Sequence, residues 1–133
     1  MSYYLDTDTC IFALKNTHPV LVERIKSLSP DRLKIPAVVE AELLFGAENS
    51  LDSKRILETV QRFLDPFEIV PFDSQCAQVY SKIRREVEKK GSSVGPNDLL
   101  IAATVSTHHG ILVTHNVREF NHISHLKIED WTK

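Results

Sequence analysis

Short strand-like runs alternate with helix-length segments along the chain, and this alternation restricts the fold more than any other feature. Tyr3 to Leu5, Leu33 to Ile35, Glu68 to Phe72, Ile111 to Val113 and Lys127 to Glu129 read as strands, with Pro71 marking an edge or a strand end. The segments between them read as helices. They cover Thr9 to Lys15, Pro19 to Ser27, Pro36 to about Asn49, Ser53 to Leu64, a long helix capped by Asp73 and reaching Lys90, and Pro96 to about His109. In the long helix Cys76, Val79, Tyr80, Ile83 and Val87 recur at helical spacing. Strands alternating with helices predict an α/β fold, a parallel sheet sandwiched by helices. Ligands of such sheets bind beyond the carboxyl ends of the strands. Asp6 directly follows the first strand, and Thr114, His115 and Asn116 directly follow the fourth. Both segments are therefore expected on one edge.

The 133 residues are expected to form one domain, spanning residues 1–133. No apolar run approaches the ~20 residues that cross a bilayer, and no basic segment precedes an apolar one as in a secretory signal. Cys10 and Cys76 lack metal-ligand spacing and read as reduced thiols of a cytoplasmic protein. A formal net charge of −2 announces no nucleic-acid binder, although local patches matter more than the sum.

Among the 18 acidic residues, those that interrupt an apolar face are informative. In AVVEAELLFGAEN, at about 100° per residue, Val38, Ala41 and Phe45 form an arc extended by Val39. Glu42 falls within that arc and Glu40 nearly opposite, so Glu42 is expected inward and Glu40 toward solvent. In PNDLLIAATV, Ile101, Ala102 and Val105 follow Asp98 on its own face, so Asp98 opens the buried side of its helix. Asp98 also has a plainer reading, an acid complementing the helix dipole in its first turn. Asp6 has one as well, the cap of the helix that follows. Asp6, Glu42 and Asp98 together favour more. Inward carboxylates are costly, and gathered carboxylates repel. A divalent cation removes both penalties, and an oxygen-only donor set points to Mg²⁺, with Mn²⁺ as a substitute. Such a site suits phosphodiester hydrolysis.

The ordered set LDTDTCIFALK, AELLFGAE, VGPNDLLIAA, LVTHNVREF and IEDW resembles the PIN-domain ribonuclease toxins of the VapC family, end to end. The resemblance implies a three-layer α/β/α fold and a Mg²⁺-dependent endoribonuclease. It implies the toxin of a type II toxin–antitoxin pair, usually a homodimer, held inactive by a VapB-type antitoxin. Structured RNA is the implied substrate, with initiator tRNA and its anticodon stem-loop implied by the TCIF and VGP motifs. The family's acids fall on Asp6, Glu42 and Asp98, which would be catalytic and metal-binding. A fourth catalytic position falls on Asn116, where many relatives carry Asp. Thr114 and Glu119 match auxiliary positions. Asp8 falls where relatives often carry Asn or Ser, and is expected to replace part of the charge missing at Asn116.

Two other readings stay open at this level. DTDT fits the DxDxT motif of haloacid-dehalogenase-type phosphatases, with Asp6 as nucleophile and Asp8 as general acid. The later strand lacks the paired acids that family needs. The fold could also serve as a non-catalytic module binding RNA or antitoxin. For RNA contacts the candidates are Lys82, Arg85 and Lys89, in a basic cluster with Arg84 and Lys90, together with His115 beside Asn116. The remaining histidines lack zinc spacing.

Overall fold

The computed structural model describes residues 1–133. Its strands are β1 (Tyr3–Leu5), β2 (Leu33–Pro36), β3 (Glu68–Val70), β4 (Ile111–Val113) and β5 (Lys127–Glu129). They form one all-parallel sheet in the order β3-β2-β1-β4-β5. The helices are α1 (Thr7–Lys15), α2 (Pro19–Ser27), α3 (Ala37–Glu48), α4 (Ser53–Leu64), α5 (Ser74–Lys89), α6 (Pro96–Thr107) and α7 (Val117–Phe120). Successive strand residues point to opposite faces. Leu112 and Val113 are neighbours in β4 and both are fully buried, as are Tyr4 and Leu5 in β1. Both faces of the sheet are therefore covered, the burial expected of parallel strands between helical layers. α4 packs along α3, and α5 along α6.

β1 lies at the centre, with Tyr3 opposite Leu33 on one side and Ile111 on the other. The chain builds outward through β2 and β3, then returns across β1 to lay down β4 and β5. That reversal opens a crevice at the carboxyl ends of β1 and β4. Just before β4, Gly110 passes so close to the Tyr4 ring that a Cβ there would collide with it, so only glycine fits.

The elements depart from the sequence reading in specific places. Pro36 ends β2 and serves as the cap residue of α3 rather than opening the helix. α7 was not expected, nor was the single 3₁₀ turn Pro30–Arg32. In α3 the buried residues are Val39, Leu43 and Ala47, whereas Ala41 is exposed and Phe45 is 69% exposed. α3 is apolar almost all round, so periodicity cannot choose its inner face; packing against the sheet and α4 does. Glu42 then sits on one flank of the buried stripe and Glu40 on the other, both half-buried.

Candidate active site

Asp6 leaves β1 and caps α1, its Oδ1 accepting the Thr9 N–H at 2.9 Å. The Thr9 hydroxyl donates to the Val113 carbonyl at 3.1 Å, and the Asp6 N–H donates to the same oxygen at 3.2 Å. These bonds fasten the start of α1 to the end of β4. Asp6 is only 5% exposed. Burial raises its pKa, hydrogen bonds from Thr114 and Thr9 pull it back, and the nearby Asp8 charge pushes it up again. Thr114 is fully buried, and its hydroxyl also accepts the Asn116 N–H at 2.9 Å.

Asp98 lies in the first turn of α6, after Pro96. Its face continues into Ile101, Ala102 and Val105, all fully buried, so the helix presents Asp98 at the crevice end of its core-facing stripe. Its pKa is pushed up to about 7, first by burial, then by Glu119, and further by the charges of Asp6 and Glu42. That pattern places four carboxylates within electrostatic reach of one another. They come from the end of β1, from α3, from α6 and from α7.

Two of the four are held by neighbours. Glu42 accepts the Thr7 hydroxyl on Oε1 and the Asn97 amide on Oε2, the latter at 3.2 Å. α3 is thus tied to the first turns of α1 and α6. Glu119 accepts the Gly95 N–H at 2.6 Å and the Asn116 side-chain amide. Its proximity also raises the Asp98 pKa. Asn116 therefore spends its amide on Glu119 and sits at the lip of the crevice. Asp8 is exposed on the first turn of α1, near enough for its charge to be felt at Asp6.

The proposed RNA contacts are more dispersed. Lys82, expected as an RNA contact, instead lines a cavity between α5, the end of α6 and the start of β5, with His109, His125 and Lys127, at the edge of the sheet opposite the crevice. Arg85 and Lys89 are exposed on α5, while Arg84 pairs with Glu88 and Lys90 with Glu86. His115 stands apart from them, against Asp130. Sequence reasoning did not place Thr7 or Asn97 in the site. Both are short polar residues in first helical turns beside a site acid, which is the signal that marked them.

The donor set fits a hard divalent cation. It is all oxygen, it is partly dehydrated, and the rise at Asp98 shows gathered negative charge that the protein alone leaves unneutralised. Asp6, Asp98 and Glu42 could hold the ion. They do not close into a ready-made cage of three or more ligating side chains. An open arrangement suits Mg²⁺, which keeps several waters and takes one or two carboxylates plus substrate phosphates.

Residues 3–126 match the family model described as PIN domain. The tRNA(fMet)-specific endonuclease VapC of Salmonella typhimurium is 39% identical, the alignment covering 98% of both chains. Ribonuclease VapC2 of Rickettsia felis is 36% identical over the full length of both. Among solved structures, VapBC2 from Rickettsia felis bound to a DNA fragment from its promoter superposes with a TM-score of 0.93. That match is at 32% identity and covers 98% of this chain and 99% of that one.

Proposed function

The chain belongs to the PIN-domain family, among its VapC ribonucleases, and on that premise we propose that it is the RNA-cutting toxin of a VapBC-type pair, dependent on Mg²⁺ or Mn²⁺. The observation that carries this is the convergence on one crevice of Asp6, Glu42, Asp98 and Glu119, with Asp98 raised to about 7. When bound, the cation supplies charge neutralisation at the scissile phosphate and lowers the pKa of a water. The chain's own residues do the rest. Asp6, Asp98 and Glu42 hold the cation. Thr7 and Asn97 fix the Glu42 carboxylate. Glu119 fixes Asn116 and the loop ahead of α6. Arg85 and Lys89, exposed on α5, add the cationic surface that a site built of acids needs to attract a polyanion, whereas Lys82 faces the opposite edge of the sheet. The phosphatase reading lapses with the family assignment.

Initiator tRNA is the substrate we favour, because the relative from Salmonella typhimurium carries that specificity in its name. A VapB-type antitoxin is the proposed partner. An apolar groove lined by Ile11, Leu14, Leu43, Ile56 and Val60 runs to Glu42 and fits an apolar segment ending at the site. A homodimer would use the exposed Phe45 with Val38, Ala41 and Leu100 beside it. No helix is long and apolar enough to cross a membrane.

The test is cleavage of labelled tRNAs by antitoxin-free protein, with Mg²⁺ and with EDTA. Cutting that needs the cation, strongest on initiator tRNA, is the expected result. RNA binding without cation-dependent cutting would instead identify a non-catalytic module.

A further inference from the structure

One cluster beside the crevice takes no part in holding the carboxylates. Phe12 lies on α1, whose first residue follows Asp6, and it is half-buried with one side against the core. The His18 ring lies over it, centroids 4.2 Å apart at 37°. The His115 ring meets it edge-on, centroids 6.0 Å apart at 72°. His115 is the residue between Thr114 and Asn116, so the cluster adjoins the crevice through the chain itself.

Both imidazoles are anchored through the same ring atom. His18 Nδ1 lies 2.9 Å from the Thr17 hydroxyl. His115 Nδ1 lies 3.2 Å from Asp130 Oδ2, and Asp130 is itself held by the Thr132 hydroxyl at 2.7 Å. An ionised carboxylate only accepts, so His115 carries its proton on Nδ1 and turns Nε2 outward. Its side chain remains 55% exposed, whereas that of Asp130 is 14% exposed. The ring is thus held from behind and open in front.

We propose that the open ring of His115, seated edge-on against the Phe12–His18 pair, is the platform on which one unpaired nucleobase of the RNA stacks, flanking the scissile phosphate. The proposal rests on the RNA-cutting reading above. Proteins that read RNA stack splayed-out bases on aromatic and histidine rings and hydrogen-bond the base edges. Cutting inside a folded RNA requires that the strand be splayed locally, and a base drawn out of its stack needs a flat surface to land on. Here two π-faced rings surround a phenyl ring, and the outward Nε2 of His115 can meet a base edge. Asp130 is a positioning residue in this arrangement.

The probe is a set of short single-stranded RNAs, each with a fluorescent adenine analogue at one position, titrated in EDTA so that no cutting occurs. Wild-type protein should quench one position selectively. His115→Ala and Phe12→Leu should lose the quench and bind about tenfold more weakly, the order of one lost base–aromatic stack. Phe12→Tyr should keep both. Thermal melts of each variant separate lost stacking from lost folding, and the exposed His115 site carries the test if Phe12→Leu misfolds. Wild-type binding and quench in folded His115→Ala, or no position quenched by wild type, overturns the platform. Cleavage in Mg²⁺ is scored separately. Cutting without a quench removes the platform alone, and a quench without cutting removes the nuclease reading while the platform stands.

Discussion

Asp6 and Asp73 start their helices in the same way and end in opposite electrostatic states. Each is an N-cap aspartate accepting the amide three residues on: Thr9 at 2.9 Å for Asp6, Cys76 at 3.1 Å for Asp73. Asp73 is exposed, and its hydrogen bonds from Cys76 hold its carboxyl below the ordinary range. Asp6 is buried, and that burial outweighs its hydrogen bonds and raises its pKa. The cap motif therefore says where a helix begins. Whether the carboxylate bears an uncompensated charge is decided by burial and by residues far away in the chain.

The sharpest way to break the comparison is a matched pair of substitutions. Asparagine caps as well as aspartate, so Asp6→Asn and Asp73→Asn should both fold. Cation-dependent RNA cleavage should fall about 10³-fold or more in Asp6→Asn, given the several kcal/mol a metal site supplies. It should be unchanged in Asp73→Asn. Equal activity in the two would reduce Asp6 to a cap.

The next effect is on pH dependence. In metal-free protein the Asp98 carboxyl rises from 3.8 to about 7 and that of Asp6 also rises. Between those values the folded form binds more protons than the unfolded one, so these groups make stability fall as pH rises. Asp73, shifted down, does the reverse: its contribution is present above its unfolded pKa and disappears as pH falls through its lower folded value. Urea unfolding from about pH 4 to 8 should show a downward slope that flattens in Asp98→Asn. Added Mg²⁺ should restore stability near neutral pH. A slope unaffected by Asp98→Asn would remove the carboxylate cluster as its cause.

Smaller effects follow. Glu119→Gln keeps an oxygen for the Gly95 amide but removes its charge, so the Asp98 titration, read by carboxyl-carbon NMR, should move down. Cleavage should drop by about tenfold, as for outer-shell partners of metal ligands. Asp73→Ala should lower Tm by a few degrees through loss of the cap, with no change in cleavage. Asp8→Asn should weaken Mg²⁺ binding only a few-fold, consistent with an exposed charge. Asn116→Asp should restore it if Asp8 offsets the missing acid.

The sheet and most helices were legible because their signals are local. Pro71 stops β3, Asp73 caps α5, and Ile101, Ala102 and Val105 mark the face that Asp98 opens. The inner face of α3 was not legible, since apolar residues surround it and only the packed sheet selects Val39, Leu43 and Ala47. α7 spans one short turn, below what periodicity detects. The bonds that tie Thr7 and Asn97 to Glu42, and His115 to Asp130, join segments far apart in sequence, which spacing cannot pair.

The central position of β1 also sets a timetable. β1 pairs with β4 across most of the chain, and Thr114 and Glu119 follow only after that strand. At ~5–20 residues per second, Asp6 leaves the ribosome seconds before the segment that completes the crevice. A partial chain ending ahead of β4 holds Asp6, Glu42 and Asp98 but lacks Thr114, Glu119 and the Val113 carbonyl that pins the start of α1. The crevice is therefore completed last, when the chain closes around its first strand.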